Sequence, residues 1–86
     1  MTYRSSELWS NTVFTHKVRV LKQYDIVFFN ASPSSFGAHI GIYNASGAVL
    51  HLSKVVGKPA LWSLSEFMKY PQYRYFIGAK RPHYIY

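Results

Sequence analysis

The sequence predicts an α+β domain: a small, mostly antiparallel sheet of four to six short strands with short helices. Three observations carry this. Ala38 to Ser53 supplies β-favouring residues (Ile40, Ile42, Val49, Leu50 and Leu52) on either side of a turn-forming Asn44-Ala45-Ser46-Gly47. Ile26-Val27-Phe28-Phe29 is apolar at every position, the pattern of a central strand covered on both faces. Ser63-Leu64-Ser65-Glu66 spells a capping box, with Ser63 as N-cap and Glu66 reaching back, and so opens a helix.

The remaining elements follow in order. Ser5 to Ser10 suits one or two helical turns, with Glu7 in the first turn and Leu8 and Trp9 facing inward. Thr12 to His16 reads as irregular. Val18 and Val20 alternate with Lys17, Arg19 and Leu21, which predicts a short strand. Lys22 to Asp25 turns the chain, with Asp25 a turn residue rather than a catalytic acid. Asn30 to Gly37 is a loop by composition and leads into His39, so it should line any site that His39 serves. Lys54 to Lys58 is a connection, and Pro59 to Trp62 a short edge strand, since proline is tolerated at a strand start. The helix opened by Ser63 takes in Phe67, Met68 and Tyr70 and stops before Pro71. Tyr73 to Gly78 reads as the last strand, and Lys80 to Tyr86 as a basic, aromatic tail.

Two histidines sit on the hairpin, one per strand, and register decides whether they meet. Paired residues of an antiparallel ladder share a face, so the two numbers of each pair add to a constant. A three-residue loop, Ala45-Ser46-Gly47, with Gly47 left-handed, sets Asn44 opposite Ala48, Gly41 opposite His51 and His39 opposite Ser53. His39 and His51 are then diagonal neighbours on one face, with Gly41 leaving room between them. A two-residue loop, Ala45-Ser46, would put them on opposite faces. The glycine at the position that needs one favours the first register.

Eighty-six residues suit one small domain, residues 1–86, with no repeat or linker. The absence of cysteine excludes a disulfide, a thiolate metal site and a cysteine nucleophile within these residues. The apolar run Ile26 to Phe29 is far too short to span a membrane, and Met1 to Thr12 lacks the apolar core of a signal peptide. Ten Lys and Arg against three acids give a net charge of +7, which favours anionic partners or simply a basic surface.

Asp25-Ile26-Val27-Phe28-Phe29, a polar loop, His39-Ile40-Gly41-Ile42-Tyr43, a glycine turn and Val49-Leu50-His51 together resemble the second half of an NlpC-type domain. These are papain-like bacterial cell-wall peptidases and amidases. The resemblance runs from Ser5 to about Arg81 and implies the sheet half of that fold. It also implies a chemistry. In the family a cysteine at a helix N-terminus attacks an amide of a peptidoglycan stem peptide, one histidine is its base, and a third polar residue orients that base. By motif His39 matches the base and His51 the orienting residue. Imidazole activation of a thiolate, with the base held in one tautomer by a third group, is the triad logic that such chemistry requires.

The chain departs from the family pattern twice. Tyr24 stands where the family has glycine before Asp25, and the cysteine-bearing helix, which lies upstream of the part matching Ser5 to Trp9, has no counterpart here. The expectation is therefore a cell-wall hydrolase domain without its nucleophile: a truncated gene, a degenerate member, or a helix supplied by a complementing chain. Ser34 and Ser35 lie in a loop, a poor place for a replacement nucleophile. Family members are usually exported or wall-associated, but these residues themselves leave the compartment open.

A small basic module for anionic cell-wall polymer or nucleic acid would use Tyr73, Tyr75, Tyr84 and Tyr86 with Arg74, Lys80 and Arg81. No nucleic-acid motif accompanies these residues, so nucleic acid is the lesser expectation. Two histidines fall short of the three or four ligands of a zinc site, and His16, His83 and Asp25 are too scattered to complete one, so neither metal nor cofactor is expected. Trp9, Trp62 and Phe67 read as core. Without the family's helix, apolar area at Ile26 to Phe29 and on the His39 strand should lie uncovered, which predicts a homodimer in which Leu8 and Trp9 of one chain cover the other. Alternatively, Met1 to Phe14 folds back on its own sheet.

Overall fold

The computed structural model describes residues 5–12, 15–53 and 57–82. Its elements in order are α1 (Ser5–Ser10), β1 (Thr15–Val18), β2 (Ile26–Asn30), β3 (His39–Tyr43), β4 (Ala48–Ser53), β5 (Lys58–Ser63), α2 (Leu64–Phe67), a 3₁₀ turn (Pro71–Tyr73) and β6 (Tyr75–Pro82). The six strands form one sheet in the order β1-β6-β2-β3-β4-β5, with every neighbouring pair antiparallel. Six antiparallel strands and two short α-helices make the domain α+β, as the residue patterns predict.

Strand β2 lies at the centre of the sheet with apolar residues buried on both of its faces. Val27, Phe28 and Phe29 are fully buried. On one face Phe29 stacks on Phe67 of α2 at 4.1 Å between ring centres, and Val27, Val49, Trp62, Tyr73 and Ala79 complete the core there. On the opposite face α1 lies over β6 and β2. The Trp9 indole meets Phe28 edge-on at 5.1 Å and rests on Gly78, where an added Cβ would come within 2.6 Å of the indole. The buried Lys80 holds α1 in place, its ammonium donating to the carbonyls of Leu8, at 3.0 Å, and Asn11. Trp9 therefore folds back on its own sheet, on the face opposite the histidines. The expected uncovered area at Ile26 to Phe29 does not arise, because both faces of β2 are covered within the chain.

Several boundaries differ from the sequence-based expectation. Thr15 and His16, expected to be irregular, begin β1, while Val20 lies beyond that strand and is exposed. Thr15 is the buried residue of β1 and its hydroxyl donates to Asn11 O, so ladder pairing with β6 overrides a weak local pattern. The capping box is present, with Glu66 N–H donating to Ser63 Oγ and Ser63 N–H to Glu66 Oε1. Its helix is shorter than expected and ends at Phe67. Pro71 opens the 3₁₀ turn instead, where its missing N–H costs nothing. Tyr73 consequently leaves the last strand, which runs to Pro82 and takes in Lys80 and Arg81. Of the expected tail only His83 to Tyr86 lies outside the described residues, as do Phe14 and most of the Lys54 to Lys58 connection.

Asp25 is a turn residue with a second task. It is fully buried, accepts from Lys22 N–H at 2.8 Å and forms a two-pronged ion pair with Arg81, at 2.8 and 2.9 Å. Burial pushes the Asp25 carboxyl up. The Arg81 hydrogen bond, the Lys22 N–H and the charges of Arg81 and His16 outweigh it, so the net direction is down. The preceding Tyr24 holds a left-handed backbone, φ +73°, which carries a steric cost of about 1–2 kcal/mol for an L side chain. Tyr24→Gly should therefore raise stability by about 1 kcal/mol after glycine's own entropic cost, read as a shifted denaturant midpoint at constant m. A lower midpoint would show that the Tyr24 ring contributes more than its backbone costs.

Candidate functional site

The β3–β4 hairpin builds the site. Gly47 adopts φ +95°, Gly47 N–H donates to Asn44 O at 2.9 Å, Asn44 N–H to Ala48 O at 2.8 Å, and Ser46 N–H to the Asn44 side chain at 2.8 Å. This is the three-residue loop, and it sets Tyr43 opposite Val49 and Ile42 opposite Leu50. Carried on, that register places Gly41 against His51 and both histidines on the core-facing side. The gap at Gly41 is required: an added Cβ would strike the Val49 side chain and stand 3.0 Å from Leu50 O and 3.3 Å from His51 Cβ.

His39 Nε2 and His51 Nδ1 lie 2.8 Å apart, with the rings nearly perpendicular at 89°. His51 is 4 % exposed, with Trp62 and Phe67 at 4.4 and 4.5 Å between ring centres. His39 is half-buried, and the Tyr73 ring lies along it at 4.6 Å and 30°. Burial among these rings lowers the His51 pKa from its ordinary value, so His51 is held neutral. Among the described residues, His51 Nε2 and the Tyr73 hydroxyl are buried without a hydrogen-bond partner.

These contacts assign the tautomers. A neutral His51 carries one ring proton, and its Nε2 sits among aromatic rings. An N–H there retains weak N–H···π attraction, whereas a lone pair would find no donor. The network thus puts the His51 proton on Nε2 and makes Nδ1 the acceptor. His39 then donates from Nε2 in this bond. A protonated His39 would keep donating from Nε2 to His51 Nδ1. The arrangement can hold the His39 ring in one orientation and one tautomer.

Compared with protein-family models, curated proteins and solved structures, the chain shows no match.

The other residues singled out in the sequence do not join the pair. Asp25 sits at the far end of β2 from Phe29, the residue paired with His39, and its carboxylate is committed to Arg81. His16 lies on edge strand β1, three places from β3 in the sheet. Among the described residues no three His, Asp or Glu side chains gather closely enough to hold a metal ion. Ser34 serves its own loop, its carbonyl accepting from Asn30 Nδ2 and its hydroxyl from Phe36 N–H. The aromatic-basic surface does not form as drawn: Tyr73 and Lys80 are buried, Arg81 is paired, and Tyr84 and Tyr86 lie outside the described residues.

The sequence reading missed Tyr73 as a site residue. Its ring is packed against His39 because the 3₁₀ turn carries it over the histidine face. The available signal was Pro71, which suits the first position of a helical turn as well as it ends one. Beside the pair, Phe29, Leu64, Ser65, Met68 and Phe76 line an open apolar groove of about 280 Å³, where Met68 and Phe76 are each 44 % exposed.

Proposed function

We propose that this chain carries the general-base half of a cell-wall peptide hydrolase site of the NlpC-like, papain-type kind. His39 is the base, His51 orients it, and the thiol is not among these residues. The observation that supports the reading is the His39 Nε2–His51 Nδ1 bond at 2.8 Å, with His51 buried and neutral. A surface histidine pair without a task would have no need of a desolvated partner that fixes one tautomer. The substrate class is a peptidoglycan stem peptide, whose amide would lie against His39 while an apolar group enters the Phe29–Phe76 groove. With no cysteine in the sequence, the chain by itself is a base with nothing to activate, and it should not turn over such amides.

The test has two arms. In the first, titration with a soluble stem-peptide fragment should shift NMR signals of His39, Tyr73, Met68 and Phe76, with the ligand left intact. Shifts confined to Lys and Arg signals and produced by an anionic wall polymer would instead assign a basic binding module. In the second, hydrolysis of the fragment by the purified chain, lost in His39→Ala, would overturn the absent-nucleophile reading.

A further inference from the structure

The sheet has one half-face that nothing among the described residues covers. Opposite the histidines, α1 packs over β6 and β2, with Lys17 of β1 over the Trp9 ring. On β3, β4 and β5 the same face presents Ile40, Ile42, Leu50, Leu52 and Leu61, which are 40 %, 40 %, 48 %, 64 % and 59 % exposed. Together they show roughly 500 Å² of contiguous apolar surface, at the upper end of what monomers carry. The alternation that buries Val49, His51 and Trp62 necessarily turns Leu50, Leu52 and Leu61 outward, yet half-solvated sheets normally place polar residues there. Five large aliphatic side chains on the water side therefore call for a cover.

We propose that this half-face is the contact surface for a second copy of this chain, packed sheet on sheet about a two-fold axis. Three observations favour that occupant. First, the outward positions of the three strands carry no charged residue, so a chain of net charge +7 meets itself here with the least repulsion. Second, the face holds both a knob and a hole. Leu52 is the most exposed of its aliphatic side chains, and two residues along β4 an open depression of about 260 Å³ lies between Tyr24, Ile42, Leu50 and Leu61. A two-fold axis seats each copy's Leu52 in the other's depression, the self-complementarity that an isologous interface demands. Third, the area fits. A stable interface needs about 800 Å² per partner, and the apolar centre has the exposed polar residues Gln23 and Asn44 beside it to serve as a rim. Such a dimer leaves the histidine face of both copies open, so it is independent of the function proposed above.

Sedimentation equilibrium of the purified chain at micromolar concentration tests it. The expected mass is twice 10.0 kDa. Leu52→Glu and, separately, Leu61→Glu should each weaken the dimer at least about a hundredfold, since every substitution occurs twice in a two-fold interface. Circular dichroism and the His39–His51 NMR signature should be unchanged in both. A wild-type mass of 10.0 kDa at every concentration would overturn the proposal, as would a dimer indifferent to both substitutions. A monomer that binds anionic lipid vesicles through Leu52 would give the face to a membrane surface instead.

Discussion

Gly41→Ala should cost about 2–4 kcal/mol and separate the two histidines. The added methyl has nowhere to go. It meets the Val49 side chain in the core and the Leu50 carbonyl at 3.0 Å, so either a buried valine leaves its rotamer or β3 and β4 move apart. Chains of this length hold roughly 4–13 kcal/mol in all, which makes this loss a large share of the total. Chemical denaturation gives the energy. Imidazole ¹⁵N spectra give the consequence for the site: two defined tautomers in the wild type should become averaged tautomers in the variant. Gly47→Ala supplies the comparison, since its Cβ would meet nothing and only its φ of +95° is strained. That change should cost less and leave the pair bonded. Equal losses in the two variants would show that Gly41 is not the spacer between the rings.

Acid should destabilise the domain in two stages. The folded-state pKa of His51 is lowered by burial, so an unfolded chain binds this proton more readily than the folded one. Its contribution is complete above about pH 6.5 and is lost as pH falls from there toward the folded value. Asp25 is also lowered overall, the ion pair and hydrogen bonds outweighing desolvation. Its contribution is complete above about pH 4 and lost as pH falls through its folded value. One proton sets a limiting slope of about 1.4 kcal/mol per pH unit in each stage. Urea unfolding between pH 8 and pH 3 should thus show a decline that starts near neutrality and a second that starts below about pH 4. His51→Phe should remove the first stage and leave the second. A flat wild-type profile down to about pH 4.5 would mean that His51 is protonated without penalty, and the neutral-orienter role would fall with it.

The hairpin shows how far local sequence information reaches. Gly47 could be placed because a three-residue loop needs a left-handed residue, and that one choice determines that His39 and His51 share a face. The central place of Ile26 to Phe29 and the box at Ser63 to Glu66 were legible for the same reason, since periodicity and capping are properties of adjacent residues. Tyr24 was visible only as an oddity before Asp25. Its φ of +73° shows why a glycine would sit there more comfortably.

What sequence alone determined, then, was the α+β class, the register of the histidine hairpin, the N-terminus of α2 and the absence of a thiol. Tertiary structure decided everything that depends on contact across the sheet. Trp9 went to the face opposite the histidines because Gly78, distant in sequence, leaves room for its ring there. Arg81 left the basic tail because a buried carboxylate at Asp25 draws it in. Tyr73 moved from a strand to the side of His39 because the 3₁₀ turn carries it over the core. Which half of which face stays open was likewise beyond local reading: strand alternation makes Leu50, Leu52 and Leu61 point outward, but it is the packing of α1 on β6 and β2 that leaves them without a cover among the described residues.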